Sequence, residues 1–135
     1  MTHDINIHHE DNHESASSYL VEEIRNLLVN SNRDFSIGLS GGNTPKLTYS
    51  MMAEKFDDLS KTYLWTIDDR WIEEDNDLSN QRMINEYFER TDANILKFEF
   101  TSSSPESDAK KYEDKLKSTI QIFDVAILGM GEDGH

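Results

Sequence analysis

No cysteine occurs in the 135 residues, which removes disulfides, thiol nucleophiles and thiolate metal sites in one step. Long apolar runs are also missing: nothing approaches the roughly 18 residues of a membrane span. The polar start Met1-Thr-His-Asp4 lacks the basic and apolar regions of a secretion signal, so a cytoplasmic location and no membrane partner are expected. Basic residues are scarce, with 13 Lys and Arg against 27 Asp and Glu and a net charge of −14. Such a surface repels nucleic acid, and an anionic ligand needs a local positive pocket set against the global field. His3, His8, His9 and His13 crowd the start, but without cysteine or a fixed helical pairing they read as a polar segment, and no metal is expected.

What is present is an alternation of two periodicities. Ile5-Asn-Ile7 has the pattern of a short first strand, and Ala16, Leu20, Ile24, Leu27 and Leu28 follow with helical spacing. Phe35, Ile37 and Leu39 alternate as a strand should. Ser40-Gly-Gly-Asn-Thr-Pro45 then breaks the run, and Tyr49, Met52 and Phe56 continue as a helix with Pro45 suited to its first position. Tyr63 to Ile67 reads as a strand, and Asp68 to Ser79 as an acidic loop. Ser79-Asn80 caps the next helix, marked by Met83, Ile84, Tyr87 and Phe88. Leu96, Phe98 and Phe100 alternate again. Ser104 before Pro105 is an N-cap for a helix with Ala109, Tyr112, Leu116 and Ile120 on one face, and Phe123 to Leu128 is the last strand. Of the two tryptophans flanking the acidic loop, Trp65 and Trp71, one is expected in the core and the other near its rim. The order predicts an α/β, Rossmann-like, mostly parallel sheet covered by helices. Because domains rarely stop on a strand-to-glycine turn, residues 1–135 are expected to form a single incomplete domain, truncated after the strand that carries the turn.

Three loops at strand ends hold the candidate chemistry. In Ser40, Gly41, Gly42, Asn43 and Thr44, small residues let backbone amides approach an anion at a helix N-terminus; the alternative is a tight turn that binds nothing. The loop lacks the Gly-Lys-Ser/Thr of a Walker motif. In the second, Asp68, Asp69 and Arg70 follow a strand, and the guanidinium is a candidate phosphate or carboxylate clamp. Equally, an adjacent acid could pair with it or cap a turn. In the third, Gly129, Gly131 and Gly134 spell G-x-G-x-x-G, but too late in the chain for a dinucleotide fingerprint. Asp133 and His135 read better as a catalytic pair, a proton-transferring imidazole with a carboxylate to orient it; the alternative is a plain surface histidine.

Taken together, Ser40-Gly-Gly-Asn-Thr-Pro45 with Tyr49, Asp68-Asp-Arg-Trp71 with Ser79-Asn80, and Gly129-Met-Gly-Glu-Asp-Gly-His135 resemble the 6-phosphogluconolactonase family. The likeness extends over Ala93-Asn-Ile-Leu96 and the Tyr112-Glu113 helix, hence over nearly the whole chain. Family members are about twice this long, so the resemblance covers their N-terminal portion. It implies hydrolysis of 6-phospho-D-glucono-1,5-lactone in the oxidative pentose phosphate pathway, without a cofactor. Carried across, Ser40 to Thr44 and Arg70 would hold the phosphate, and Asp133 and His135 would do the chemistry. Asp68, Asp69 and Asn80 are further candidates. The family usually has Asp-Glu-Arg where this chain has Asp68-Asp69-Arg70. Glucosamine-6-phosphate deaminase is similar in fold, but its second motif has no arginine in the third place. A sugar-phosphate-binding relative without turnover is the remaining alternative. The 135 residues alone are expected to be weakly stable and inactive or nearly so; oligomeric state is not legible.

Overall fold

Phe35–Leu39 is buried at every position and forms β1, the central strand of the sheet in the computed structural model, which describes residues 3–135. Burial on both faces is what a parallel strand flanked by helices requires. The partners β2 (Thr62–Thr66) and β4 (Val125–Ile127) lie on either side, and β3 (Asn94–Leu96) extends the sheet beyond β2. All pairs are parallel and the spatial order is β3-β2-β1-β4, so the α/β expectation holds.

Register assigns the faces. Ile37 pairs with Leu64, Leu64 with Ile95 and Ile37 with Val125, so these side chains share one face. That face carries the core, built with Val21 and Ile24 of α1 (His13–Val29), Tyr49 and Met52 of α2 (Lys46–Lys55), and Ile84 and Phe88 of α3 (Asn80–Phe88). The opposite face bears Trp65, which lies over Gly38 and against Phe123, and α4 (Pro105–Thr119). Tyr112 of α4 donates to the Thr66 carbonyl at 2.8 Å, fixing the end of β2 where the second loop begins. Burial pushes the Tyr112 phenol up, which keeps it a donor.

Several boundaries differ from the periodicity. Ile5 and Ile7 are exposed and form no strand, because an apolar alternation becomes a strand only where a sheet edge pairs with it. In α1 the buried stripe is Ser17, Val21 and Ile24, while Ala16 and Leu27 face outward; packing on α2 selects the neighbouring face. The helix after the glycine loop starts at Lys46, with Pro45 as its cap residue. β3 ends at Leu96, and Phe98 and Phe100 lie outside the ladder. They instead meet Tyr112 and Trp71 edge-on, with ring centroids 5.6 and 5.1 Å apart. β4 is three residues long, and Phe123 and Leu128 are exposed. Trp65 is buried and Trp71 sits at the rim, as the flanking positions suggested. Trp71 is tethered through its indole N–H to buried Asp108, which also accepts from the amide and hydroxyl of Thr101.

A polar clamp attaches β4 to β1. Both Asp124 oxygens meet the Arg33 guanidinium, and Oδ2 accepts from the Ser36 amide at 2.9 Å, while Ser36 Oγ donates to the Ile122 carbonyl. Burial opposes ionisation of Asp124, but Arg33 and the Ser36 amide outweigh it and hold the carboxyl below its ordinary value. A depressed carboxyl stabilises the fold above its unfolded pKa of about 3.9 and loses that contribution as pH falls through the folded value. Asp124→Asn is therefore expected to lower the melting temperature at pH 7 and to flatten the acid limb of a melting-temperature profile. An unchanged profile would show that the clamp contributes nothing measurable.

Candidate active site

In an open parallel sheet, ligands bind beyond the carboxyl ends of the strands where the strand order reverses. The order β3-β2-β1-β4 puts that point between β1 and β4. The three loops selected from sequence leave β1, β2 and β4 at this edge, so the topology brings together residues some ninety positions apart.

The first loop is built to leave donors free. Tyr49 is fully buried and its hydroxyl donates to the Ser40 carbonyl at 2.7 Å. Burial pushes the phenol up to about 12, so it remains a neutral donor. Gly42 adopts φ +89°, where an L side chain is strained, which explains glycine at that position. The amides of Gly41, Gly42, Asn43 and Thr44 have no acceptor among the described residues. Helices α1, α3 and α4 carry side-chain caps from Asn12, Ser79 and Ser104, whereas α2 has none. Its orphan amides and dipole are thus available to an anion. The Ser40 hydroxyl is buried and unpartnered among the described residues, a state that an incoming acceptor would relieve.

The second loop separates two adjacent acids that look equivalent in sequence. Asp69 is committed to structure: its oxygens accept from the amides of Arg70, Asn80 and Gln81 at 2.8 to 2.9 Å, closing the loop onto the start of α3. This is the turn-capping role left open above, and it makes Asp69 a scaffold residue. Asp68 is exposed at the cleft, and its carboxylate accepts no hydrogen bond among the described residues. Neither acid pairs with Arg70, whose guanidinium has no carboxylate partner among the described residues. Its Nη1 donates to Asn80 Oδ1 at 3.2 Å. In a chain of charge −14 this unneutralised cation at a loop of free amides is the local positive pocket that anion binding demands.

The third loop folds back on itself. Asp133 Oδ1 accepts from the backbone amide of His135 at 3.0 Å, Gly131 N donates to the His135 carbonyl, and Gly134 has φ +81°. The carboxylate therefore shapes the turn through the backbone, and does not contact the imidazole as a catalytic pair would suggest. A Cβ built at Gly129 would lie 3.9 Å from Thr44 Cβ, so the third loop abuts the first. The three loops enclose an open cleft of about 790 Å³ whose walls include Ser40, Gly41, Thr44, Asp68, Arg70 and His135. Asn43 faces an adjoining cavity of about 570 Å³ together with Lys46 and Arg70. Asp133 is the one proposed catalytic residue that lies off the cleft wall. Lys46, passed over in the sequence because it lies within the helix, adds a second cation beside Arg70; its place directly after Pro45 was the available signal.

Contact between the first two loops is tight. A Cβ at Gly41 would fall 2.0 Å from Asn80 Oδ1 and 2.4 Å from its Cγ. Gly41→Ala is expected to force the loops apart, losing about 1–3 kcal/mol through over-packing and weakening the phosphate binding proposed below. A melt and a phosphate titration would check both, and a variant matching wild type in each would contradict this geometry.

Fold and site define a doubly wound α/β protein whose switch-point cleft is lined by the glycine loop, Arg70 and a histidine. The chain belongs to the family described as glucosamine-6-phosphate isomerases/6-phosphogluconolactonase, whose model matches residues 8–135. It is 35% identical over 111 residues to a 6-phosphogluconolactonase of Synechocystis sp., covering 74% of this chain and 46% of that protein. It is 36% identical over 124 residues to the 6-phosphogluconolactonase of Thermotoga maritima, covering 87% and 56%. A 6-phosphogluconolactonase crystal structure from Shewanella baltica superposes with a TM-score of 0.84 at 30% identity, over 93% of this chain and 57% of that one. The chain thus spans about half the length of the curated relatives it matches. No helix among the described residues is long and apolar enough to cross a membrane.

Proposed function

We propose that the protein hydrolyses 6-phospho-D-glucono-1,5-lactone to 6-phospho-D-gluconate, the lactonase step of the oxidative pentose phosphate pathway. The observation that carries this reading is one cleft holding loop amides without an acceptor and an arginine without a carboxylate partner among the described residues, together with His135. The lactonase names of its relatives support it. The phosphate sits on the amides of residues 41–44 and on Arg70, which places the lactone ring toward the third loop. His135 takes a proton from water as its oxygen bonds to the lactone carbonyl carbon. The tetrahedral adduct then collapses by breaking the bond to the ring oxygen, which receives the proton. Asp133 acts on the backbone of that turn, holding His135 in place. Water is the only co-reactant in this scheme. Arg70 in the third place of its motif favours this reading over glucosamine-6-phosphate deamination.

The test is loss of the lactone above its spontaneous rate, using the protein as its gene encodes it and, in parallel, the 135-residue chain alone. Acceleration by the encoded protein supports the proposal, and the chain alone is expected to be slow or inactive. A folded protein that binds sugar phosphate without acceleration would leave a binding relative, and release of ammonia from glucosamine 6-phosphate would hand the cleft to the deaminase reading.

A further inference from the structure

Asn80 is the first residue of α3, and only 6% of its surface is exposed. Helix capping does not explain it, since Ser79 already accepts from the Arg82 amide as the cap. Its side chain is instead spent between the two anion-binding loops. Oδ1 accepts from Arg70 Nη1 at 3.2 Å, and Nδ2 donates to the Asp68 carbonyl at 2.9 Å. The amide group lies flat against Gly41, in the space a Cβ there would occupy. Asn80 thus touches the glycine loop, the strand end before Arg70 and the guanidinium itself.

We propose that Asn80 is a positioning residue for phosphate capture: its side-chain amide sets the Arg70 guanidinium beside the glycine loop so that both face one phosphate. The proposal rests on the lactonase reading insofar as a phosphate monoester is the ligand. The chemistry explains why an amide is needed. It supplies one acceptor for Arg70 and one donor for the Asp68 carbonyl, and it carries no charge. The guanidinium has five N–H groups, and holding Nη1 on Asn80 at 3.2 Å, with the Leu78 carbonyl a longer 3.5 Å acceptor, leaves Nε and Nη2 for a bidentate grip on phosphate. A carboxylate of the same shape would pair with Arg70 and compete with the ligand, while facing the Asp68 carbonyl without a donor. Alanine would leave Arg70 and Gly41 beside a gap.

Inorganic phosphate and 6-phosphogluconate are titrated into wild type, Asn80→Asp, Asn80→Ala and Asn80→Ser, and into Arg70→Ala with and without Asn80→Asp, with a melt of each. Asn80→Asp is expected to weaken both ligands at least about tenfold, and to have little further effect once Arg70 is absent, because it acts through that residue. The side-chain NMR signal of Arg70 Nε should show an ordered guanidinium in wild type and an averaged one in Asn80→Ala. Asn80→Ser keeps an acceptor and should bind more tightly than Asn80→Ala. Wild-type affinity in a folded Asn80→Asp variant, or losses that add independently of Arg70, would overturn the proposal while leaving the lactonase reading intact. A wild-type protein that binds neither ligand would sink both.

Discussion

Replacing His135 by alanine is expected to cut lactone hydrolysis by about 10²- to 10⁴-fold, the range that a positioned general acid-base supplies. KM should change little, because the proposed phosphate contacts come from the first loop and Arg70 rather than from His135. The expectation follows from placement: His135 is the only imidazole bordering the cleft among the described residues. A His135→Ala protein with wild-type turnover would remove the proposed mechanism, whatever the binding data showed. Asp133 gives a graded companion test. Its Oδ1 meets the His135 amide, so asparagine can keep that hydrogen bond and alanine cannot. Asp133→Asn should therefore retain much more activity than Asp133→Ala. Equal losses would mean that the charge, rather than the turn, is what matters.

Arg70→Ala should act on the other parameter. Removing a bidentate charge-assisted contact to phosphate costs about 3 kcal/mol, so KM is expected to rise roughly 100-fold with kcat less affected. Lysine should rescue only in part, since a point charge cannot reproduce the planar fork that Asn80 holds. Added salt should weaken wild-type binding more than it weakens binding by Arg70→Ala, as the local cation is what salt screens. If Arg70→Ala left KM unchanged and lowered kcat alone, Arg70 would belong to the chemistry and the phosphate would sit elsewhere, with the cavity beside Lys46 the next place to look.

Much of the fold was legible because burial leaves a periodic trace. β1 showed alternation at Phe35, Ile37 and Leu39, and α3 and α4 had recognisable caps in Ser79 and Ser104. Ile5 and Ile7 misled because two isoleucines carry the pattern without a partner strand. Phe98 and Phe100 misled because aromatics that pack on Tyr112 and Trp71 alternate as they would in a ladder. Asp108 left no usable trace: an acid in the first turn of a helix reads as a solvated dipole partner, yet it is buried and holds Trp71.

The sequence by itself determined which chemistries are available: no thiol, a surface hostile to polyanions, three glycine- or acid-bearing loops each following an apolar strand, and a histidine within the last of them. These are properties of residue types and short-range order, which need no contacts to read. Only the tertiary structure decided how the roles are divided. Asp68 and Asp69 are the same residue type one position apart, and what separates them is that the N-terminal amides of α3 bond the carboxylate of one and leave the other unbonded among the described residues. Likewise, Asn80 and Gly41 are far apart in the chain, and the parallel pairing of β1 with β2 brings their loops into contact.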